Sequence, residues 1–325
     1  MDKGVFYMSK PKSGIAEYRN YYLPYDFPVL LLSGEHWKIS NIPSKNLHFH
    51  NCLEIGICHS ESGYMKFSGQ EPLYFKEGDI TCVPRNIPHT TYSSPGTESH
   101  WSYLFIDPSE LFRNIAPNFS RGFDLSLSAY KEYKHILSRD TYPLVYQLTT
   151  TIIQELEEKR PHYQMSATGL LLSLCIELHR IQSEGGQEAT LTDHPPDNAM
   201  VLSPVLDYIE DNFAQQFDIN YLADICRLSP THFRRLFHSI MGTSPLDFVN
   251  NTRIHKACNL LRSTEFSILE ISEMVGFRSV SSFNRHFMDV MQITPRNYRN
   301  ETLLTKENQE KLSILEYKGW MYPEK

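Results

Sequence analysis

Apolar residues in the last third of the chain recur at helical spacing, and the pattern is written twice. Ile219, Leu222, Ala223 and Cys226 are answered forty-nine positions later by Ile268, Ile271, Ser272 and Val275. Phe233, Arg235, Phe237, Ser244, Pro245 and Phe248 are answered fifty positions later by Phe283, Arg285, Phe287, Thr294, Pro295 and Tyr298. Within each copy the spacing i, i+3, i+4, i+7 predicts helices with one buried face. Short breaks at Arg227–Ser229 and Gly276–Ser279 divide each copy into two helices. A repeat of this length predicts one supersecondary unit built twice. Two helices joined by a short turn form the helix-turn-helix arrangement, whose second helix enters the DNA major groove.

Upstream the period changes. From Val29 to Ile106 short alternating runs are punctuated by Gly, Pro, Asn and Ser, which predicts an all-β sandwich or barrel. From about Pro108 to Ser183 the pattern is helical, with Leu144, Leu148, Ile152 and Leu156 every four residues. A second run after Pro161 carries Leu170, Leu171, Leu174, Cys175, Leu178 and Ile181. The polar stretch 184–199, with Gly185-Gly186 and Pro195-Pro196, predicts a linker. The expected organisation is a β domain with an N-terminal arm over 1–107, a helical region over 108–183, the linker over 184–199 and an all-α domain over 200–300. The tail 301–325 receives no role. The fold class is α+β multidomain.

The second helix of each copy carries candidate chemistry. Ser229 before Pro230 marks a helix start, and Ser279 holds the matching place. Phe233, Leu236, Phe237 and Ile240 share the face to be buried, leaving Thr231, His232, Arg234, Arg235 and His238 on the others. In the second copy Phe283, Phe287 and Val290 point inward, and Val280, Ser281, Asn284, Arg285 and His286 outward. Arg bonds guanine bidentately, Asn bonds adenine, and Ser or Thr bonds either. One such polar face is equally consistent with plain solvation; two matched copies favour DNA. Charge placement agrees: from Arg227 to Arg262 there are five Arg and one Lys against Asp247, and from Gly276 to Asn300 four Arg against Asp289. The acids Asp207, Glu210, Asp211, Asp218, Asp224, Glu270 and Glu273 sit mostly on the supporting helices, so the domain is polarised with a basic stripe suited to phosphates. The whole chain carries −7, which excludes a generic polyanion binder.

These residues resemble the AraC/XylS class of bacterial transcription regulators. Leu228-Ser229-Pro230-Thr231-His232-Phe233-Arg234-Arg235-Leu236-Phe237 is similar to the first recognition helix of that family. Val275-Gly276-Phe277, Ser281-Ser282-Phe283-Asn284-Arg285-His286-Phe287 and Thr294-Pro295-Arg296-Asn297-Tyr298-Arg299 resemble its most specific signature. Arg253-Ile254, Ala257 and Leu260-Leu261 resemble the long helix that joins the two units. The resemblance implies two helix-turn-helix units on successive major grooves, with Arg253 and Arg299 added to the DNA-contact set. One departure is Gln292, where the family has Gly to close the helix, as Gly242 does in the first copy. A left-handed non-Gly residue costs roughly 1–2 kcal/mol, so a local difference is expected there.

In the β region, His48, His50 and Glu54 share one face of a strand, followed by Gly78-Asp79, Pro84 and His89. His, His, Glu and His converging inside a barrel suit a transition metal. The pattern resembles both motifs of the cupin superfamily, whose barrels also serve as sensor domains of AraC-type regulators. By that resemblance the four residues are either metal ligands, as in cupin enzymes, or polar groups that bond an effector. The effector reading is the one adopted, with no cofactor expected. Trp101 and Tyr103, which share a strand face with Phe105, join the effector set because a flat apolar body with a polar handle suits a sugar ring. The same stripe is consistent with simple core. Tyr18, Tyr21, Tyr22 and Tyr25 precede the barrel and suggest an arm that folds over the ligand.

Six Cys at 52, 58, 82, 175, 226 and 258 form no C-x-x-C pair and read as buried thiols of a reducing compartment. No N-terminal apolar run resembles a signal peptide and no eighteen-residue apolar segment occurs, so a cytoplasmic protein without membrane partners is expected. The resulting expectation is a non-enzymatic, ligand-responsive regulator that binds double-stranded promoter DNA and activates a carbohydrate-utilisation operon. Its other partners would be RNA polymerase and a second copy, the helices after the barrel pairing in the homodimer. The rivals are a metal-dependent cupin enzyme fused to a DNA-binding domain, and a ligand-independent structural DNA binder.

Overall fold

The structure is a computed structural model that describes residues 17–19, 21, 23–24, 27–44, 46–68, 70–112, 125, 133–184 and 198–304. They divide into two compact units, one with most of the strands and the helices that follow them, the other with the helices after residue 196 together with residues 17–18 and 46–48. Most of the expected linker, most of the arm and the tail beyond 304 lie outside the described residues.

The strands are β1 (Glu17–Arg19), β2 (Val29–Leu32), β3 (Lys38–Ile39), β4 (His48–His50), β5 (Leu53–Ser60), β6 (Ser62–Phe67), β7 (Leu73–Lys76), β8 (Ile80–Val83), β9 (His89–Ser93), β10 (Ser99–Ile106) and β11 (Ile136–Leu137). Helix α1 (Pro108–Phe112) follows β10, and α2 (Pro143–Glu158) and α3 (Tyr163–Ser183) follow β11. One sheet runs β1-β4-β9-β6-β7, the other β11-β8-β5-β10-β2, with β3 on β10. Among the described residues the strands form two open sheets; the alternation allowed a sandwich or a barrel, and the cupin-like barrel was what the resemblance implied. The terminal strands have only two to four residues, and short edge strands of this kind offer little ladder for a neighbour to join.

The second sheet is buried on both faces, and side-chain alternation explains how. Leu53, Ile55 and Ile57 of β5 and Leu104 and Ile106 of β10 pack with Val145, Ile152 and Leu156 of α2 and Leu171, Leu174 and Leu178 of α3. Residues of opposite parity face the other sheet: Cys58, Trp101, Tyr103 and Phe105 form a cluster with Phe75 of β7. The same parity sends Glu54 inward, where it pairs with Phe105 and Val83 in register. Gly56 lies opposite Tyr103, and a Cβ there would strike both that ring and Thr81. The six cysteines are buried free thiols, as their apolar setting in the sequence indicated.

The helical unit comprises α4 (Asn198–Asn212), α5 (Ile219–Ile225), α6 (Pro230–Met241), α7 (Pro245–Ser263), α8 (Ile268–Met274), α9 (Val280–Met291) and α10 (Pro295–Leu304). The duplication is physical as well as textual. Phe237 lies 5.5 Å from Phe233 and 5.6 Å from Phe248, ring centroid to centroid. Phe287 lies 5.6 Å from both Phe283 and Tyr298.

Leu174 is fully buried beneath the sheet. Leu174→Ala is expected to lower the unfolding free energy by about 2–5 kcal/mol through lost burial and a residual cavity. Urea titration followed by circular dichroism measures this.

Candidate nucleic-acid interface and inner polar cluster

Helices α6 and α9 are each twelve residues long and start on the predicted caps. The Ser229 hydroxyl accepts from the His232 N–H, and that of Ser279 from the Ser282 N–H, satisfying backbone donors that the helix leaves over. Phe233, Leu236, Phe237 and Ile240 are buried on α6, and Phe283 and Phe287 on α9. With those faces committed, Thr231, His232, Arg234, Arg235 and His238 stand exposed, as do Ser281, Asn284 and Arg285. His286 is half-buried against the Phe277 ring. The two outward sets offer the guanidinium, amide and hydroxyl groups that read base edges.

The helix ends differ less than the sequence suggested. Gly242 closes α6 at φ 68°, and Gln292 closes α9 in the same left-handed region at φ 57°. The Gln292 side chain donates to the Asp289 carbonyl at 2.9 Å, a bond to an otherwise spare helix-end acceptor that offsets part of the backbone cost.

Two expected DNA contacts have other work. Arg253 is buried in α7; its Nε donates to the Phe213 carbonyl at 2.8 Å and its Nη2 to the Gln215 carbonyl at 2.6 Å. Arg299 donates to the Phe266 carbonyl at 2.6 Å and the Leu261 carbonyl at 3.3 Å, tying α10 to the end of α7. Both were placed on DNA because they are basic and fall in the resembling segments. Spacing alone does not reveal that carbonyls of a distant loop come to meet a guanidinium.

Residues 222–301 match a protein-family model described as a helix-turn-helix domain. The HTH-type transcriptional activator RhaS of Enterobacter sp. (strain 638) is 25% identical over 256 residues, covering 78% of this chain and 86% of that protein. The HTH-type transcriptional regulator YfiF of Bacillus subtilis (strain 168) is 37% identical over 103 residues, 32% of each chain. A solved AraC-type DNA-binding domain from Chromobacterium violaceum is 27% identical, covering 32% of this chain and 94% of that one, with a TM-score of 0.31. The chain carries an AraC-type helix-turn-helix domain. That domain lies within the helical unit, and no described helix is long and apolar enough to cross a membrane.

The β-rich part of the chain holds the second candidate site. His48, His50, Glu54 and His89 are all buried, and a ligand atom of His48, Glu54 and His89 each lies within 4.8 Å of the other two. The Glu54 Oε2 stands 3.1 Å from His50 Nε2 and 3.6 Å from His89 Nε2. On the far side of each ring, Nδ1 meets a carbonyl, that of Cys52 at 2.9 Å and that of Ile87 at 2.8 Å. A carbonyl only accepts, so each Nδ1 carries the proton and each Nε2 is turned on the carboxylate. Burial would raise the Glu54 pKa, but His89 and His50 outweigh it and hold the carboxyl well below its usual range.

Trp101 is not a free platform. It is wholly buried, its indole N–H donates to Ser99 Oγ at 2.8 Å, and its ring is stacked on Tyr103 and edged by Phe75. Trp101 is therefore core, the plainer of the two roles open to it. Tyr103 is buried as well, 4% exposed, and burial pushes its hydroxyl pKa well up. From the segment before β2, Tyr21 packs on Phe105 at 4.3 Å and His50 at 5.7 Å, and its backbone N–H donates to Asn51 Oδ1. Tyr22 and Tyr25 lie outside the described residues.

The sequence reading missed His135. It is buried, stacked on Phe67 at 3.8 Å, with Nδ1–H donating to the Cys82 carbonyl at 3.0 Å. Burial lowers its pKa from 6.5 to about 4. The unfolded chain therefore binds this proton first, and stability is full above about pH 6.5 and falls as pH drops toward 4. Between about pH 7.5 and 5 this one group should remove about 2 kcal/mol. Urea melts at both pH values should show a flatter pH dependence in His135→Gln than in the wild type.

Proposed function

We propose that the protein is a ligand-responsive, sequence-specific regulator in which α6 and α9 each present a helix to the major groove. The observation that carries this reading is the duplicated outward set, Arg235 and Arg285 at equivalent places among exposed Thr231, Ser281 and Asn284. Two such helices in one chain suit successive grooves about 34–36 Å apart. The inner polar cluster is read as the effector site, with His48, His50, Glu54, His89 and Tyr103 as its polar groups. A sugar is the effector class that such a mixed aromatic and polar lining suits. Naming of relatives as activators supports activation, with RNA polymerase as the further partner. The face of α2 and α3 away from the sheet is read as the surface where two copies meet. Binding changes DNA affinity only so far as the effector prefers one arrangement of the protein.

Arg235→Ala and Arg285→Ala are each expected to weaken specific operator binding by about 1–3 kcal/mol while leaving random-sequence affinity nearly unchanged. Titration of the upstream intergenic DNA at fixed salt, with and without a panel of mono- and disaccharides, measures both halves of the reading. Equal loss on random DNA would place the arginine on phosphate, and indifference to every sugar would discard the carbohydrate effector.

The convergence of His48, Glu54 and His89 favours a second use of the same cluster as a transition-metal site, the feature a cupin-type enzyme would need. Stoichiometric metal by elemental analysis, lost in His89→Ala, would support metal binding. Turnover in addition would support the enzyme.

A further inference from the structure

The segment between α4 and α5 makes contacts that neither the helix repeat nor base reading requires. Residues 213–217 cross from the end of α4 to the first helix of the first copy. On one side, the Arg253 guanidinium of α7 is forked onto the Phe213 and Gln215 carbonyls. It also lies 5.8 Å from the Phe217 ring centroid and 5.6 Å from that of Phe277. On the other side the loop meets the turn between α8 and α9. Gln216 Nε2 donates to the Gly276 carbonyl at 3.1 Å, and Arg278 Nε donates to Gln216 Oε1 at 2.9 Å. Gly276 sits at φ +88°, and a Cβ there would run into the Ala214 backbone. Phe213 itself packs into the core of the second copy, against the cluster of Ile254, Ile271, Phe283 and Phe287.

A loop that opens the first copy is thus bonded to the linking helix and to the turn of the second copy. Without it, α6 and α9 would be related through α7 alone, and a single helix bends. With it, the two helix pairs are braced at a second place, by charge-assisted bonds to carbonyls that a planar guanidinium is shaped to fork. We propose that Arg253 and Gln216 are positioning residues, which through loop 213–217 fix the spacing at which the two halves of a DNA site are read. This rests on α6 and α9 being the DNA-reading helices. Because α4 is the helix that follows the linker stretch, the brace also joins that helix to both readers at once.

The test is the spacing dependence of binding by the full-length protein. Wild type is used to select its two-block site from a random duplex pool, and variants with one to three base pairs inserted or deleted between the blocks are then titrated. Each base pair rotates one block by about 35° relative to the other, so wild-type affinity should fall at least about tenfold on the first change. Gln216→Ala and Arg253→Lys should bind a single isolated block as wild type does. At the selected spacing they should bind about three- to tenfold more weakly, and their spacing profiles should be flattened. Gln216 is exposed, so its variant loses the bridge without opening the core, whatever Arg253→Lys does to folding. A Gln216→Ala spacing profile that overlies wild type would overturn the proposal. A wild type that enriches no sequence at all would overturn the DNA reading, and the proposal with it.

Discussion

A twelve-residue helix is marginal in water on its own, so α6 and α9 depend on laying an aromatic face against a neighbour. Phe233 and Phe237, and Phe283 and Phe287, are those faces, and none has measurable exposure. Their burial decides everything outward of them. Once the phenylalanines are committed, the 100° step of the helix leaves Arg235 and Arg285 exposed at equivalent places in the two copies. The candidate interface is in this sense a by-product of the core: the apolar stripe holds the helix and aims the polar one.

A pair of aimed helices is only as specific as the angle between them, and here polar contacts matter more than apolar ones. Apolar packing is non-directional, whereas Arg253 meets two particular carbonyls and Gln216 both donates and accepts across the same junction. The buried arginine has a desolvation cost, and its two carbonyls and two flanking rings offset it. In the β-rich part the same division holds. Leucine and isoleucine on one parity of β5 and β10 hold α2 and α3, and the opposite parity carries Glu54 inward to the histidines.

Most of the helical unit was legible in the sequence. The repeat, the breaks near Arg227 and Gly276 and the caps at Ser229 and Ser279 are local signals that survive without tertiary information, because helical period and capping act within a few residues. The parity of Trp101, Tyr103 and Phe105 was legible too, but not which layer that face meets. Which of sandwich and barrel the alternating runs make could not be read, since closure depends on which edge strands find each other. The carbonyl bonds of Arg253 and Arg299 were hidden for a related reason: a basic side chain in a DNA-binding segment looks the same whether it faces phosphate or a carbonyl. His135 carried no signal at all, because its place beside Phe67 and Cys82 is made by pairing of β11 with β8 across more than fifty residues.

The sequence by itself determined the duplicated helices, their buried and exposed faces, and the set of polar residues destined for the space between the sheets. Periodicity and capping are properties of neighbouring residues, so they are written in order along the chain. Only the tertiary structure decided that Arg253 meets the Phe213 and Gln215 carbonyls, that Trp101 is core, and that Glu54 sits between His50 and His89. Those outcomes depend on which distant backbone carbonyl or ring occupies the space a side chain can reach, and no local spacing encodes that.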